Sequence, residues 1–424
     1  MFSKLSHIIC LIVMVCLFSI SSCRKTDVVQ PEAKKVFISN LIQLYAGIND
    51  PLNEGSTLVL APGTYRLNPD FPNGGRIELK HNMSLIGQEG NASAVIIDVS
   101  GLPAASYVAP PTASYPLELR TAPIRIGNGK NAIEWMTFTN DPSNILRAMI
   151  MTDIVAKQIA SDPAPLAQVR IAHTIIKNSS IGLNILNRDP VSDGRVLEAE
   201  VENNEILDNT QPQFGSGVQI QHSQGVTAGL IRVNFKGNYI HGNMQGVNMF
   251  NASSGGNNRI IARSISDRLE GNALGLLLTS GLNVAGGAER VTGNSINFEA
   301  EGTSIRNNGN LPAPLTNSFL LNNYIAGGVM INGGAVGKIG NSRGAPGTVG
   351  SNTVEAVFKD SRIEDNLGTS QINIFGAYSN LFPLPAGSYN NAVLTLIGIS
   401  KKATVNAVTS FPFEPAVTNT ITVK

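Results

Sequence analysis

Down the middle of the chain the hydrophobic and polar positions recur as a block: a branched aliphatic, two polar or small residues, a small polar anchor, then a glycine opening a short alternating run. It reads Ile176-Lys177-Asn178-Ser179 followed by Gly182-Leu183-Asn184-Ile185, and again Ile240-His241-Gly242-Asn243 followed by Gly246-Val247-Asn248-Met249. Leu269-Glu270-Gly271-Asn272 with Gly275-Leu276-Leu277-Leu278 repeats it, and Ile206-Leu207-Asp208-Asn209 does so with an insertion before Gly217-Val218-Gln219-Ile220. A repeat of ~30 residues built from short alternating runs and Asn/Gly turns, with no helical period between them, predicts an all-β solenoid, a parallel β-helix.

Aligning the repeats on the anchors Ser179, Asn209, Asn243, Asn272, Asn308, Gly328 and Asn366 sorts the flanking residues into columns. Ten and eight residues before the anchors stand Val169/Ile171, Ala199/Val201, Val233/Phe235, Phe298/Ala300 and Ala356/Phe358. These alternate with polar neighbours and are expected to face the core, because successive strand side chains point to opposite faces. The rung on Asn272 instead puts Ala262 and Ser264 inward and leaves Ile261 and Ile265 outside, which predicts a bulge or a register shift.

The outward positions of the same strands carry the densest carboxylate cluster, Glu198, Glu200 and Glu202. Arg170 falls in the Glu200 column one coil earlier, and Arg232 and Lys236 fall in the Glu198 and Glu202 columns one coil later. Arg263 stands above Glu299 in the same way. Opposite charges stacked at about 4.8 Å predict a salt-bridge ladder. The alternatives are a calcium site, since a hard cation takes several carboxylate oxygens, and a catalytic acid. The ladder accounts for the charges without metal, so no cofactor is expected.

The second candidate surface follows the glycines, where Asn184, Gln219 and Asn248 point outward with Gln221 and Phe250 beside them. Amides donate to and accept from hydroxyls and aromatic rings stack on sugar faces, so this row reads as a carbohydrate-binding surface. Amide ladders also stabilise β-helices by themselves. Among the histidines His222 is the candidate general base, because Gln219, Gln221 and the insertion from Thr210 to Ser216 surround it in sequence. No two histidines show metal-ligand spacing. The connections from Gly101 to Leu117, Ala156 to Leu166 and Gly340 to Gly350 exceed what a coil needs and are candidate groove walls.

At the N-terminus Lys4 precedes an apolar stretch from Ile8 to Phe18, too short to span a bilayer and ordered like a secretory leader. The following Ile20-Ser21-Ser22-Cys23 resembles the bacterial lipoprotein cleavage box, which implies that residues 1–22 are removed and that Cys23 carries the lipid. Cys10 and Cys16 lie in the leader, so the mature chain has no internal disulfide. Residues 23–36 are polar and proline-marked and read as a tether. Residues 37–424 are expected to form one β-helix domain with C-terminal strands, its first coil covered by a short helix from Leu41 to Gly47, since an open sheet edge invites association. The expected location is the cell envelope, lipid-anchored at the outer membrane.

The chain has 424 residues, 42% hydrophobic, with a net charge of +1 and 14% charged residues. The hydrophobic fraction supplies a long core, and the balanced charge gives no field to favour nucleic acid. The membrane partner is reached through the lipid anchor.

The runs Ser56-Thr57-Leu58-Val59-Leu60-Ala61-Pro62-Gly63-Thr64-Tyr65-Arg66-Leu67 and Ile77-Glu78-Leu79-Lys80-His81-Asn82-Met83-Ser84-Leu85-Ile86-Gly87, then Val95-Ile96-Ile97-Asp98, resemble the entry coils of the pectin-lyase-like superfamily. That resemblance implies a right-handed, single-stranded parallel β-helix. Its members include polysaccharide lyases, glycosidases, esterases, adhesins and phage spikes, so the fold does not choose an activity. The adjacent Asp-Asp pair and Gly-His-Gly of polygalacturonases, the Trp-x-Asp-His pattern of pectate lyases and the Asp-Phe-Ile-Phe-Gly strand of pectinesterases are absent from this chain. The leading expectation is therefore a lipid-anchored β-helix that binds polysaccharide or serves as a surface scaffold. A polysaccharide lyase or glycoside hydrolase on the same fold is the alternative.

Overall fold

A computed structural model describes residues 33–79, 82–103, 122–144, 146, 148–152, 164–187, 194–210, 215–222, 226–251, 256–283, 291–309, 327–336, 349–368, 370–379, 389–400, 402–411 and 419–424. Cys23, most of the tether, His81, the insertion residues 211–214 and most of the three long connections lie outside them. Residues 35–424 form one compact unit.

One coil shows the plan. Val196–Glu202 enters the first sheet, Glu205–Leu207 the second and Ser216–His222 the third, after which Leu230–Lys236 returns to the first. Among the described residues, stacking these coils gives sheets of twelve, nine and eleven strands, with a further two-stranded sheet. Every strand pairing among the described residues is parallel, and neighbours are successive coils in register, as in Val201 beside Phe235 and Val233 beside Ala262. The chain is a parallel β-helix. The inward columns expected from the repeat, from Val169 and Ile171 to Ala356 and Phe358, lie in one continuous core.

The three corners use the same two-residue device. A residue with left-handed φ turns the chain, and the next side chain reaches along the axis to the following coil. At the corner between second and third sheets Asp208 (φ 55°), Gly242 (φ 64°) and Asn307 (φ 55°) precede Asn209, Asn243 and Asn308. There the Asn209 amide N–H and Nδ2 both donate to Asn243 Oδ1, at 3.1 and 2.9 Å. Asn243 does the same to Asn272, Asn272 to Asn308 and Asn308 to Asn366. The glycine of the repeat follows from this ladder. A Cβ on Gly246 would lie 2.5 Å from the Gly275 carbonyl oxygen and 3.0 Å from Asn272 Nδ2, so no larger residue fits beside the stacked amides.

Gly328 is not an anchor. It lies in the strand Gly327–Val336 and occupies the glycine column next to Gly275, while Asn308 bonds directly to Asn366. Nor does the coil after Asn243 contain a bulge: Arg259–Ile265 pairs residue for residue with both neighbours. Ser264 faces inward there because its hydroxyl donates to Asp267 Oδ2 at 2.6 Å. Asp267 stands in the ladder of the first corner, where Oδ1 accepts the Asn238 N–H and Nδ2 at 2.7 and 2.8 Å. Burial raises its carboxyl to about 6 despite those hydrogen bonds.

The N-terminal helix, α1, runs Leu41–Asn49, two residues longer than expected. Asn40 caps it by accepting the Gln43 N–H, and Leu44, Tyr45 and Ile48 are buried in the core. Among the described residues no helix is long and apolar enough to cross a membrane.

Candidate functional site

Two outward faces carry the residues singled out from the sequence. On the first sheet, Glu198, Glu200 and Glu202 alternate outward on one strand, as the period of two requires. The registers are those expected: Arg170 beside Glu200, Glu198 beside Arg232, Glu202 beside Lys236 and Arg263 beside Glu299. The ion pairs are partly diagonal. Arg170 bonds Glu134 at 3.2 Å, Glu200 at 3.4 Å and also Glu202, while Arg232 bonds Glu198 at 2.8 Å. Arg263 reaches Glu301 rather than Glu299, which takes Lys359. A shallow groove of about 440 Å³ crosses these coils, lined by Lys130, Gln168, Arg170, Glu198, Glu200 and Arg232 among others. Each carboxylate lining it is bonded to a guanidinium. Among the described residues no group of three His, Cys, Asp or Glu side chains is placed to hold a metal ion.

On the third sheet, Asn184, Gln219 and Asn248 occupy one column, each paired in register with the next coil. Their parity turns them away from the core formed by Leu183, Ile185, Val218, Ile220, Val247 and Met249. The sequence reading expected them to be exposed; instead Asn184 is 0%, Gln219 2% and Asn248 6% exposed. Gln221 is buried beside them and Phe250 is partly buried. They do not bond one another as a ladder would. Both amide atoms of Asn184, and the side-chain oxygens of Gln219, Asn248 and Asn332, are buried without a hydrogen-bond partner.

The neighbours of this column show that amides are not required by the fold. Met151 stands one coil before Asn184, and Leu277 and Met330 follow Asn248. On either side the face is apolar, with Ala148, Met151, Ile181 and Leu186 clustered at one end and Leu274, Leu277, Met330 and Phe375 at the other. The amides form a polar stretch of three coils, roughly 10 Å long at the strand spacing, between two greasy ones. Among the described outward residues of this sheet, the titratable groups are Glu78 and Arg125 at its N-terminal end, bonded to each other at 3.1 Å.

His222 is not part of this face. It shares the parity of Val218 and Ile220, is wholly buried, and its Nε2 donates to the Arg259 carbonyl at 3.1 Å. Burial pushes the imidazole down to about 4, and a Cβ on Gly229 would press on the ring at 2.8 Å. It packs the third corner, in register with Asn187 and Asn251, rather than serving a substrate as a base.

Three features were not anticipated from the sequence, the first being the ladder Asn204, Asn238 and Asp267 at the first corner. A third asparagine ladder, Asn258, Asn294, Asn352, Asn390 and Asn419, closes the corner from third to first sheet. At the first corner Trp135 and His173, both with left-handed φ, stack at 3.9 Å with planes 1° apart. Only the left-handed column that they share with Asn203 and Gly237, one coil apart each, could have brought them together on paper.

No protein-family model and no curated protein matches the chain. Among solved structures it is similar to the A-module of the Azotobacter vinelandii mannuronan C-5 epimerase AlgE4, at 12% identity over 91% of this chain and 93% of that one, TM-score 0.38. It is also similar to the pectate lyase Pel9A, at 10% identity over 91% and 79% of the two chains, TM-score 0.39. The catalytic domain of a GH87 α-1,3-glucanase gives 11% identity over 93% and 68%, TM-score 0.35.

Proposed function

We propose that the protein is a lipid-anchored component of the cell envelope, at the outer membrane, that holds polysaccharide on the outward face of its third sheet without turning it over. The observation that carries this is the column Asn184, Gln219, Asn248: buried amide atoms with no partner, flanked in the same column by Met151 on one side and Leu277 and Met330 on the other. An unpartnered buried amide costs about 1–3 kcal/mol, so three coils of them weaken the free protein; at 0–6% exposure they are closed to solvent, and a glycan completes their hydrogen bonds only in a state that uncovers this face. Sugar hydroxyls both donate and accept and suit uncharged amides, and the partly buried Phe250 ring supplies an apolar neighbour. An anionic glycan would want free cations, and Arg125 is already paired.

The binding reading is preferred over catalysis because proton transfer needs a titratable group beside the substrate. The central coils of this face offer only amides, hydroxyls and apolar groups among the described residues, and His222 points into the corner. Glu198, Glu200 and Glu202 on the first sheet are each tied to a guanidinium.

The test is thermal denaturation of the full chain in detergent, with linear oligosaccharides of glucose, mannose, N-acetylglucosamine and uronates as probes. Asn184→Leu and Asn248→Leu are expected to raise the melting temperature of the free protein, since they replace orphan polar atoms with the residue type of the neighbouring coils. The same variants are expected to lose the upward shift that a bound oligosaccharide gives the wild type. Lower stability in both leucine variants, or a ligand shift they retain, overturns the assignment. Release of unsaturated product or reducing ends in the same mixtures overturns the non-catalytic part and establishes a lyase or hydrolase.

A further inference from the structure

The three most exposed large hydrophobic residues of the described chain are neighbours in sequence. Leu52 is 80%, Phe37 76% and Ile42 70% exposed, ahead of Tyr389, Leu367, Ile397 and Val423. All three belong to the N-terminal cap. Phe37 lies on the strand Lys35–Ile38, Ile42 on the first turn of α1 and Leu52 on the single turn Pro51–Asn53. The strand and the turn both pack against α1. The inner face of α1 is fully used: Leu44, Tyr45 and Ile48 are buried, the Tyr45 hydroxyl donates to the Gly75 carbonyl at 2.6 Å, and its ring stacks on Phe71. The exposed trio is therefore not a poorly folded core. Scattered single apolar residues on a surface need no explanation, but three at one end of a solenoid do.

What lies next to this end along the chain is the tether. Between Cys23 and the first strand run Arg24-Lys25-Thr26-Asp27-Val28-Val29-Gln30-Pro31-Glu32-Ala33-Lys34, and the strand itself opens on Lys35. A random coil of that length would have a root-mean-square span of roughly 20 Å, and on the tether reading of residues 23–36 an acyl group on Cys23 would keep the cap within about that distance of the bilayer. Tethering at such range makes even weak surface contacts count, because the second association is intramolecular. Four basic residues against two acidic ones in residues 24–35 give the approach a net attraction to anionic headgroups.

We propose that the N-terminal cap docks on the membrane that holds the anchor, inserting Phe37, Ile42 and Leu52 at the headgroup boundary and standing the β-helix on its first coil. The inference rests on the reading of Cys23 as the lipidated residue. Its consequence for function is orientation. The axis of the coil is directed away from the bilayer, so the third sheet, whose amide column begins about five coils along, is held off the surface.

The experiment labels one cysteine at a time in the full, processed chain, since the only other mature cysteine is Cys23 itself. Ile42→Cys, Leu52→Cys and, as a control at the far end, Thr422→Cys are each coupled to an environment-sensitive nitrobenzoxadiazole dye. The proteins are reconstituted into vesicles of equal parts phosphatidylethanolamine and phosphatidylglycerol, with or without a lipid brominated near the headgroup. Flotation with the vesicles reports the anchor, and quenching by bromine reports the cap. The expected result is flotation of all three, with blue-shifted and bromine-quenched emission at positions 42 and 52 and neither at 422. Phe37→Ser combined with Leu52→Ser is expected to remove the quenching at position 42 while leaving flotation intact. Flotation with positions 42 and 52 behaving like 422 overturns the docking and leaves the anchor standing. A blue shift that grows with protein concentration and is not quenched identifies a second copy of the chain as the occupant and also overturns it. A processed chain that does not float overturns both.

Discussion

The outward faces of the first and third sheets are built on the same coils, the same register and the same core, yet they treat polar groups in opposite ways. On the first sheet the charged residues are half exposed and matched across coils, Arg232 to Glu198 and Arg170 to three carboxylates. On the third the polar column of the central coils, Asn184, Gln219 and Asn248, is uncharged, buried and unmatched. Neighbouring strands bring like columns within reach of one another in both cases, so geometry is not the cause. Partner choice is: ionised side chains are satisfied by the next coil, whereas Asn184, Gln219 and Asn248 are left with polar atoms that no described residue satisfies. A polar group that is satisfied explains stability, and one that is buried and unsatisfied asks for a ligand.

The largest expected effect lies inside both sheets and sets the scale for the comparison. Val201 and Ile220 face the common core from the first and third sheets and are fully buried. Changing either to Asp places an unpaired carboxylate in stacked aliphatics and is expected to cost several kcal/mol, equally on the two sides. Thermal denaturation checks it; a mild effect on one side only would mean that the coil there can shed that column.

Next in size is the ladder that joins the two faces. Asn243→Ala removes the acceptor of the Asn209 N–H and Nδ2, and the donor to the Ile206 and His241 carbonyls and to Asn272 Oδ1. Several buried backbone and amide groups lose partners together, and a loss of about 3 kcal/mol is expected in denaturant unfolding. This ladder was readable from the repeat because its asparagine sits at a fixed distance from the Ile and Gly on either side of it. The third ladder was as regular, with Asn258, Asn294 and Asn352 each fourteen residues before Asn272, Asn308 and Asn366, but it lies outside the block of aliphatic, anchor and glycine on which the repeats were aligned. The inward and outward parities were likewise legible, since alternation encodes them directly. The burial of the amide row was not, because what lies over an outward face is set by chain far away in sequence, which a local period does not describe. His222 misled for a related reason: its position at a strand end looked like a rim, whereas its parity with Val218 and Ile220 places it in the corner.

An effect of at most similar size, opposite in sign, concerns Asp267, where the ladder of the first corner carries a carboxylate among amides. Burial lifts it from an ordinary value near 3.8 to about 6, so the folded state holds the proton more tightly than the unfolded one. Stability contributed by this group is then fully present below about 3.8 and is lost as pH rises through about 6. The two-unit difference corresponds to roughly 3 kcal/mol as an order of magnitude. Asp267→Asn is expected to raise the melting temperature at pH 7 and to flatten its dependence between pH 4 and 6. A variant less stable than wild type at pH 7 would show that the carboxylate is held charged by its three donors.

The smallest effect is expected on the first sheet, and it sharpens the contrast most. Arg232 and Glu198 are bonded at 2.8 Å with side chains 47% and 32% exposed, so solvent screens their attraction. Arg232→Ala is expected to cost only about 0.2–1 kcal/mol, with the difference shrinking at high salt. Arg170→Ala should cost more, because Glu134, Glu200 and Glu202 then face one another without a cation between them. If the row instead held calcium, a chelator would lower the melting temperature and Glu200→Gln would abolish that response. No chelator effect is expected, because each carboxylate already has a guanidinium and a metal would have to displace it. A reproducible calcium-dependent shift that Glu200→Gln removes would reverse the comparison: the first sheet would become the ligand-bearing face, and an acidic substrate held by metal would displace the neutral glycan proposed for the third.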